Sequence, residues 1–449
     1  MPVPILIALI SFGLIAGLIY LLGLTKKWGI LLPFAGMMLF SSMALPLTWN
    51  DRLNPTVWLP LQSTRSSLFF ASGIAATLVV LFQINRMRGK HISVSAYILF
   101  FIGLYGALLR FVHGDAADGA FSVVFTLFTL TPLLLAAAIV IDEFQDLRLI
   151  FRSIALVNIA WVGMVFVQIA VNPKFVMQGN EYRFVGLLSN PQHSGVLMAF
   201  LCVIVLWLLL NDQRKYKIIF IGLLSINGLL LLWTGSRTGL GMAVIGTSAV
   251  LYSRAGRAIL LLPLVGILGY ISLKIMVDVV GIDLGFERMA STENTRTDAW
   301  LMLIETAKES PLFGVGMGEM DRSENSWLYG YASYGIGMLI LLLLMTFVSM
   351  VEIAKSIKYR FTMPHEYRPY LDVLIGIMLM YYAGAVLEGY MISRVSVTIC
   401  VFMVASVANI NIRKLAVQNH DYAYDENLYE EYSHQDSSNK YDDYDHSDR

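Results

Sequence analysis

Apolar residues fill most of the chain in blocks separated by short polar turns. A helix crosses the hydrocarbon of a bilayer with about 20 such residues. By that measure the pattern predicts thirteen spans, roughly 3–24, 28–46, 67–85, 93–112, 119–141, 149–171, 193–210, 217–234, 238–252, 258–277, 328–351, 370–391 and 395–411. The expected fold is an all-α polytopic membrane domain, residues 1–411, with about twelve to thirteen transmembrane helices. One long loop interrupts the series, 278–327, with no apolar run of membrane length.

Shorter patterns organise that loop. Thr295 with Asp298 fits a capping box, and Ala299, Trp300, Leu303, Ile304 and Ala307 then recur at helical spacing. Pro311 ends this helix, Gly314, Gly316 and Gly318 give a turn, and Ser323 to Trp327 lead into the next span. Beyond the last span the pattern is lost. From His420 to Arg449 there are ten acidic residues, six tyrosines and two basic residues. Residues 412–449 therefore read as a disordered cytoplasmic tail.

Composition agrees with the pattern. Of the 449 residues 57% are hydrophobic and 14% charged, with a mean hydropathy of +0.65; soluble domains carry about 25% charge. A net charge of zero gives no reason to expect nucleic acid as a partner. Cys202 and Cys400 both sit in apolar runs and suggest neither a disulfide framework nor a zinc site. No paired histidines suggest a metal, and no cofactor is expected.

Charge adds sidedness. Lys26/Lys27, Arg86/Arg88/Lys90, Arg214/Lys215/Lys217, Arg254/Arg257 and Lys355/Lys358/Arg360/Arg368 fall on alternate turns, which makes that side cytoplasmic. The loop at 142–148 shares it but is acidic. The loops near 47–66, with Arg52 and Arg65, and at 113–118, 172–192, 235–237 and 278–327 then face outward.

Four outward positions attract chemistry. Arg237 lies in a very short connection between two spans, close to the membrane boundary, where a mid-bilayer arginine would cost about 2.5–3.5 kcal/mol. An anion in a polar cavity would repay that placement. Arg183 stands eight residues before Pro191, which is positioned to start a helix. Arg296 opens the loop helix, with Glu293 and Asp298 as local partners. Glu324, beside Asn325 at the mouth of a span, suits either a helix-dipole contact or a general base. Glu388 lies within the 370–391 span, with Arg394 as its expected partner. The triple glycine is not a nucleotide loop, because no Lys-Ser/Thr follows and no strand precedes it.

Three motifs occur in order: Arg183-Phe-Val-Gly186 leading to Asn190-Pro191; Gly235-Ser-Arg-Thr-Gly-Leu240; and Arg296-x-x-x-Trp300 followed by Pro311-Leu-Phe-Gly-Val-Gly316, Glu324-Asn-Ser-Trp327 and Tyr334-Gly335. This arrangement, over about 170–340, resembles the family of O-antigen ligases and Wzy-type polysaccharide polymerases. The resemblance implies a C-type glycosyltransferase fold in a bacterial inner membrane. It also implies metal-independent transfer of a glycan from undecaprenyl diphosphate on the outer face. Arg183, Arg237 and Arg296 would bind the diphosphate, with Arg237 also stabilising the transition state. Glu324 would be the base, and Asn325, Gly314 and Gly316 would support the site. Ligases carry His-Asn where this chain has Glu324-Asn325, which favours a polymerase over a ligase. A lipid-linked glycan transporter is the expectation from another class. The acidic tail suggests a chain-length regulator or a tyrosine kinase as partner, with its tyrosines as substrates.

Overall fold

The computed structural model describes residues 26–45, 57–114, 116–178, 183–256, 296–317, 320, 323–393 and 396–417. The expected spans 3–24 and 258–277 lie outside the described residues, as do Arg52, Thr295 with its capping box, Glu293, Gly318, Arg394 and the tail from 418 onward. The described chain folds as an all-α polytopic membrane protein. Its helices are α1 (Lys26–Ser41), α2 (Leu59–Phe82), α3 (Val94–Val112), α4 (Ala116–Val140), α5 (Phe144–Val171), α6 (Pro191–Asn211), α7 (Lys217–Trp233), α8 (Arg237–Ala255), α9 (Arg296–Glu309), α10 (Ser326–Thr362) and α11 (Arg368–Ala385). A last helix, α12, covers Val397–Val417. Two short strands, β1 (Met177–Gln178) and β2 (Arg183–Phe184), pair antiparallel.

Among the described residues eight helices are long and apolar enough to cross a membrane, α7 counting with the turn before it. Every expected span among the described residues has its helix, although several boundaries move. Helix α2 starts at Leu59, with a proline in its first turn, so Arg65 belongs to a helix and not to a loop. It bonds the Met43 carbonyl, which lets a polar turn enter the bundle. Helix α10 continues to Thr362 because Glu352 and Arg360, on its polar extension, find partners inside the protein. The 370–391 span is not one helix. It stops at Ala385, and a non-helical connector leads to α12. Helix α12 runs to Val417, so residues 412–417 belong to the membrane domain and not to the tail.

Helices α1, α8, α9 and α11 fall outside the eight. Helix α11 hides fourteen of its eighteen residues, including Asp372, so neighbouring helices, not lipid, surround its polar groups. Side chains such as Phe82 (87% exposed) and Phe347 (68% exposed) point away from the protein instead, as lipid-facing residues do.

The basic turns meet at one end of the bundle. Asp142, in the acidic loop, gathers Lys27 at 3.6 Å, Lys90 at 3.0 Å and Arg86. Burial opposes its charge, but Lys90, Arg86 and Lys27 outweigh that and hold the carboxyl below its usual range. Arg152 grips Asp212, with its Nε at 2.7 Å, and Arg360 pairs with Asp372 and donates to Ser253 at 3.0 Å. The acidic loop is thus the counter-charge for that end.

The opposite end depends on a close crossing of α6 and α8. A Cβ on Gly239 would lie 2.5 Å from the Gly195 carbonyl carbon, and a Cβ on Gly195 would lie 2.4 Å from the Ser236 Cβ. Only small residues let two helices approach so near. Gly239→Ala is expected to lower stability by about 1–3 kcal/mol, read as a lower midpoint in thermal unfolding of the detergent-solubilised protein. Gly241→Ala, on the same helix with open space at its Cβ, should be neutral or slightly stabilising in the same measurement.

Candidate functional site

Glu388 is 4% exposed and lies in the connector after α11. Three helices reach its side chain with residues of their first turns. Arg296, the first residue of α9, donates to Oε1 at 3.0 Å. Thr238, in the first turn of α8, donates to the same oxygen at 3.2 Å. The Gln192 carboxamide, in the first turn of α6, donates to both oxygens at 3.2 and 3.0 Å once its nitrogen is turned to the acid, the orientation the network requires. A fourth helix, α10, reaches the backbone: Ser326 Oγ donates to the Glu388 carbonyl at 2.6 Å and accepts from Met391 N at 3.3 Å. Four helix N-termini therefore converge on one glutamate, three on its carboxylate and one on its carbonyl, at the end opposite the basic turns.

Local sequence explains each start. Asn190 caps α6 by accepting from Gln192 N, with Pro191 following. Ser236 caps α8 by accepting from Gly239 N at 3.1 Å. Asn325 caps α10, its side-chain oxygen accepting from Trp327 N and Leu328 N at 3.1 Å each. Asn325 also adopts φ +68°, a left-handed conformation that asparagine tolerates better than most residues.

The expected site residues divide. Arg296, Glu324 and Asn325 gather near Glu388, and Arg237 is the first residue of α8, beside Thr238 and exposed. Arg237 thus belongs to a helix end and not to a bare connection. Arg183 is 4% exposed, with its Nε donating to the Thr234 carbonyl at 2.8 Å, which fixes it beneath the turn that presents Arg237. Arg296 bonds Glu388, Thr238 Oγ1 at 2.9 Å and the Leu387 carbonyl. Glu388 is therefore a carboxylate that bonds it, 92 positions along the chain, and Glu293 lies outside the described residues. Likewise Glu388 bonds Arg296, and Arg394 lies outside the described residues.

Gly314 and Gly316 serve a different place. The segment 311–316 lies in a break of α10, where Gly335 has φ +75°. Val315 N donates to Ala332 O at 2.9 Å, Gly316 N to Ser333 O at 3.0 Å, and Ile336 N to Pro311 O at 2.9 Å. A Cβ on Gly335 would lie 2.1 Å from Leu312 O. The strap's glycines thus meet a neighbouring backbone and repair the hydrogen bonds a broken helix would lose.

Two carboxyls share the node. Glu324 is half-buried and accepts from Ser323 N at 3.1 Å. Burial pushes Glu388 up to about 7; Arg296 and Thr238 pull it down, and the nearby Glu324 charge pushes it up again. Gln192 and Thr238 complete the site beyond the residues singled out in the sequence, and Glu388, noted there as an acid within an apolar span, proves to be its centre. Position gave a signal for both additions: Gln192 follows Asn190-Pro191, and Thr238 follows Arg237. Among the described residues no three His, Cys, Asp or Glu side chains gather to hold a metal. No family model and no curated protein matches the chain.

The raised pKa of Glu388 has a sign that can be tested. Below pH 4.5, the ordinary glutamate value, Glu388 is protonated in both folded and unfolded states; between there and about 7 only the folded state keeps the proton. Stability should therefore fall as pH rises through that window, by on the order of 3 kcal/mol. Unfolding midpoints measured from pH 4 to 8 should show this slope in the wild type and lose it in Glu388→Gln.

Proposed function

We propose that this protein polymerises oligosaccharide repeats carried on undecaprenyl diphosphate, on the outer face of a bacterial inner membrane. One observation carries the reading: four helix N-termini meet at one point, with Arg296 and Arg237 as the first residues of two of them. Helix N-termini carry about half a positive charge each and bind phosphate through free backbone N–H groups. A diphosphate leaving group is the ligand whose developing charge such a place stabilises.

In this reading Glu324 takes the proton from the acceptor hydroxyl as its oxygen attacks the anomeric carbon. The bond from that carbon to the diphosphate oxygen breaks, and the diphosphate leaves with its charge held by Arg237 and Arg296. Arg183 acts from behind by fixing the turn before Arg237. Glu388 anchors Arg296 and the four helix ends. Asn325 orients Glu324 by capping α10.

The ligase alternative uses the same chemistry with lipid A core or another acceptor. A transporter of lipid-linked glycans would use discontinuous helices as ligand sites. The break in α10 has that form, but the 311–316 strap fills it with backbone hydrogen bonds, which favours the enzyme.

Purified protein supplied with lipid-linked repeats should elongate them on the carrier; transfer only to a lipid A core acceptor would mark a ligase. Arg237→Ala should slow turnover by about 100-fold or more. Glu324→Gln should do likewise, and unchanged turnover in that variant would remove Glu324 as the base.

A further inference from the structure

A cavity lies between α3, α4, α10 and α12, closed on one side by Met391–Ser393 of the connector that carries Glu388. Its one charged group lies at one end. Arg110 lines it near the end of α3, with Ser122, Tyr334 and Ser393, and Leu99, Phe125, Leu130 and Met338 line it together with the hydroxyls of Thr126 and Thr129. Leu99, Phe125 and Met338 are at most 2% exposed, whereas Arg110 and Ser393 remain half-buried. Arg110 stands two residues before the end of α3, so this end of the cavity lies at the Glu388 end of the bundle. From Leu99 to Arg110 the helix rises roughly 16 Å, about half of a hydrocarbon core some 30 Å thick. The cavity therefore runs the depth of one leaflet, with its cation at the headgroup end.

The contacts of Arg110 suit an anion. Its Nη1 pairs with Asp118. Its Nη2 donates to the Tyr334 hydroxyl at 3.2 Å and reaches the Met317 sulfur at 3.5 Å. A thioether is a weak acceptor, and a phosphate oxygen would replace it with a charge-assisted bond. Met317 follows the strap, so the group to be displaced sits on a loop and not on a spanning helix.

We propose that this cavity seats a second anionic lipid, its phosphate on Arg110 and its first apolar units between α3, α4 and α10. The protein then holds two lipid phosphates on either side of one short connector. That the second lipid is the acceptor's carrier rests on the polymerase reading; the binding itself does not.

The test uses full-length protein in nanodiscs of phosphatidylcholine, titrated with a fluorescent farnesyl phosphate. Two equivalents should bind to the wild type. Arg110→Gln should weaken one of them about tenfold or more, and Arg237→Ala the other. Gly106→Leu gives an independent check, because a Cβ there meets Met338 and Tyr334 only at 3.4–3.7 Å and a longer side chain fills the cavity. It should remove the same equivalent as Arg110→Gln. Thermal unfolding identifies any variant that fails to fold, and Gly106→Leu decides alone if Arg110→Gln is lost. Two full-strength equivalents in a folded Gly106→Leu, or a single wild-type equivalent sensitive only to Arg237→Ala, would overturn the proposal. Loss of one equivalent in Gly106→Leu and Arg110→Gln with none in Arg237→Ala would keep it and instead count against the diphosphate site.

Discussion

Four helices begin at one buried carboxylate, and that meeting constrains the site end of the molecule. Helix N-termini brought together repel, each carrying about half a positive charge. Glu388 supplies the opposing charge and accepts from Gln192, Thr238 and Arg296 in three different helices. Its carbonyl holds Ser326 in a fourth. The arrangement is a compromise. Burial disfavours the carboxylate, the donors favour it, and the balance leaves its acidity near neutral.

Backbone proximity makes the meeting possible. Gly195 and Gly239 let α6 and α8 touch, which brings Gln192 and Thr238 to the same acid. Helix α11 then has to stop at Ala385, because a continued helix would spend the Glu388 carbonyl on its own ladder. The same logic governs α10. Its break at Gly335 frees backbone groups that the 311–316 strap takes up, which ties the loop to the bundle and holds the Met317 sulfur beside Arg110. Chemistry and scaffold thus share residues: the motifs that attract attention in the loop are mainly packing devices, and the charged residues beside them form the site.

The two ends of the bundle treat charge differently. At the basic end, Asp142, Asp212 and Asp372 each face a cation within the protein. At the Glu388 end, carboxyls and guanidiniums sit at helix starts, and Arg237 is exposed. Ion pairs within the protein suit stability, and an arginine exposed at a helix N-terminus suits an anionic ligand.

Local order along the chain determined a good deal. Apolar runs located every described spanning helix, because burial in lipid demands about 20 consecutive apolar residues whatever the fold. Asn190-Pro191 marked the start of α6, since capping is a local interaction. Arg237, Arg296 and Glu324 stood out as polar groups beside the membrane. What the sequence left open was pairing. Arg296 had acidic neighbours in sequence, and the structure adds a carboxylate 92 positions away. Among the described residues the side-chain ligands of Glu388 come from α6, α8 and α9, none of them near it in sequence. The stop of α11 was equally hidden, because apolar residues continue past Ala385 with Val386, Leu387, Met391 and Ile392. Only tertiary structure could decide these points: which charges meet, and where a helix may end, depends on what neighbouring backbones offer in three dimensions.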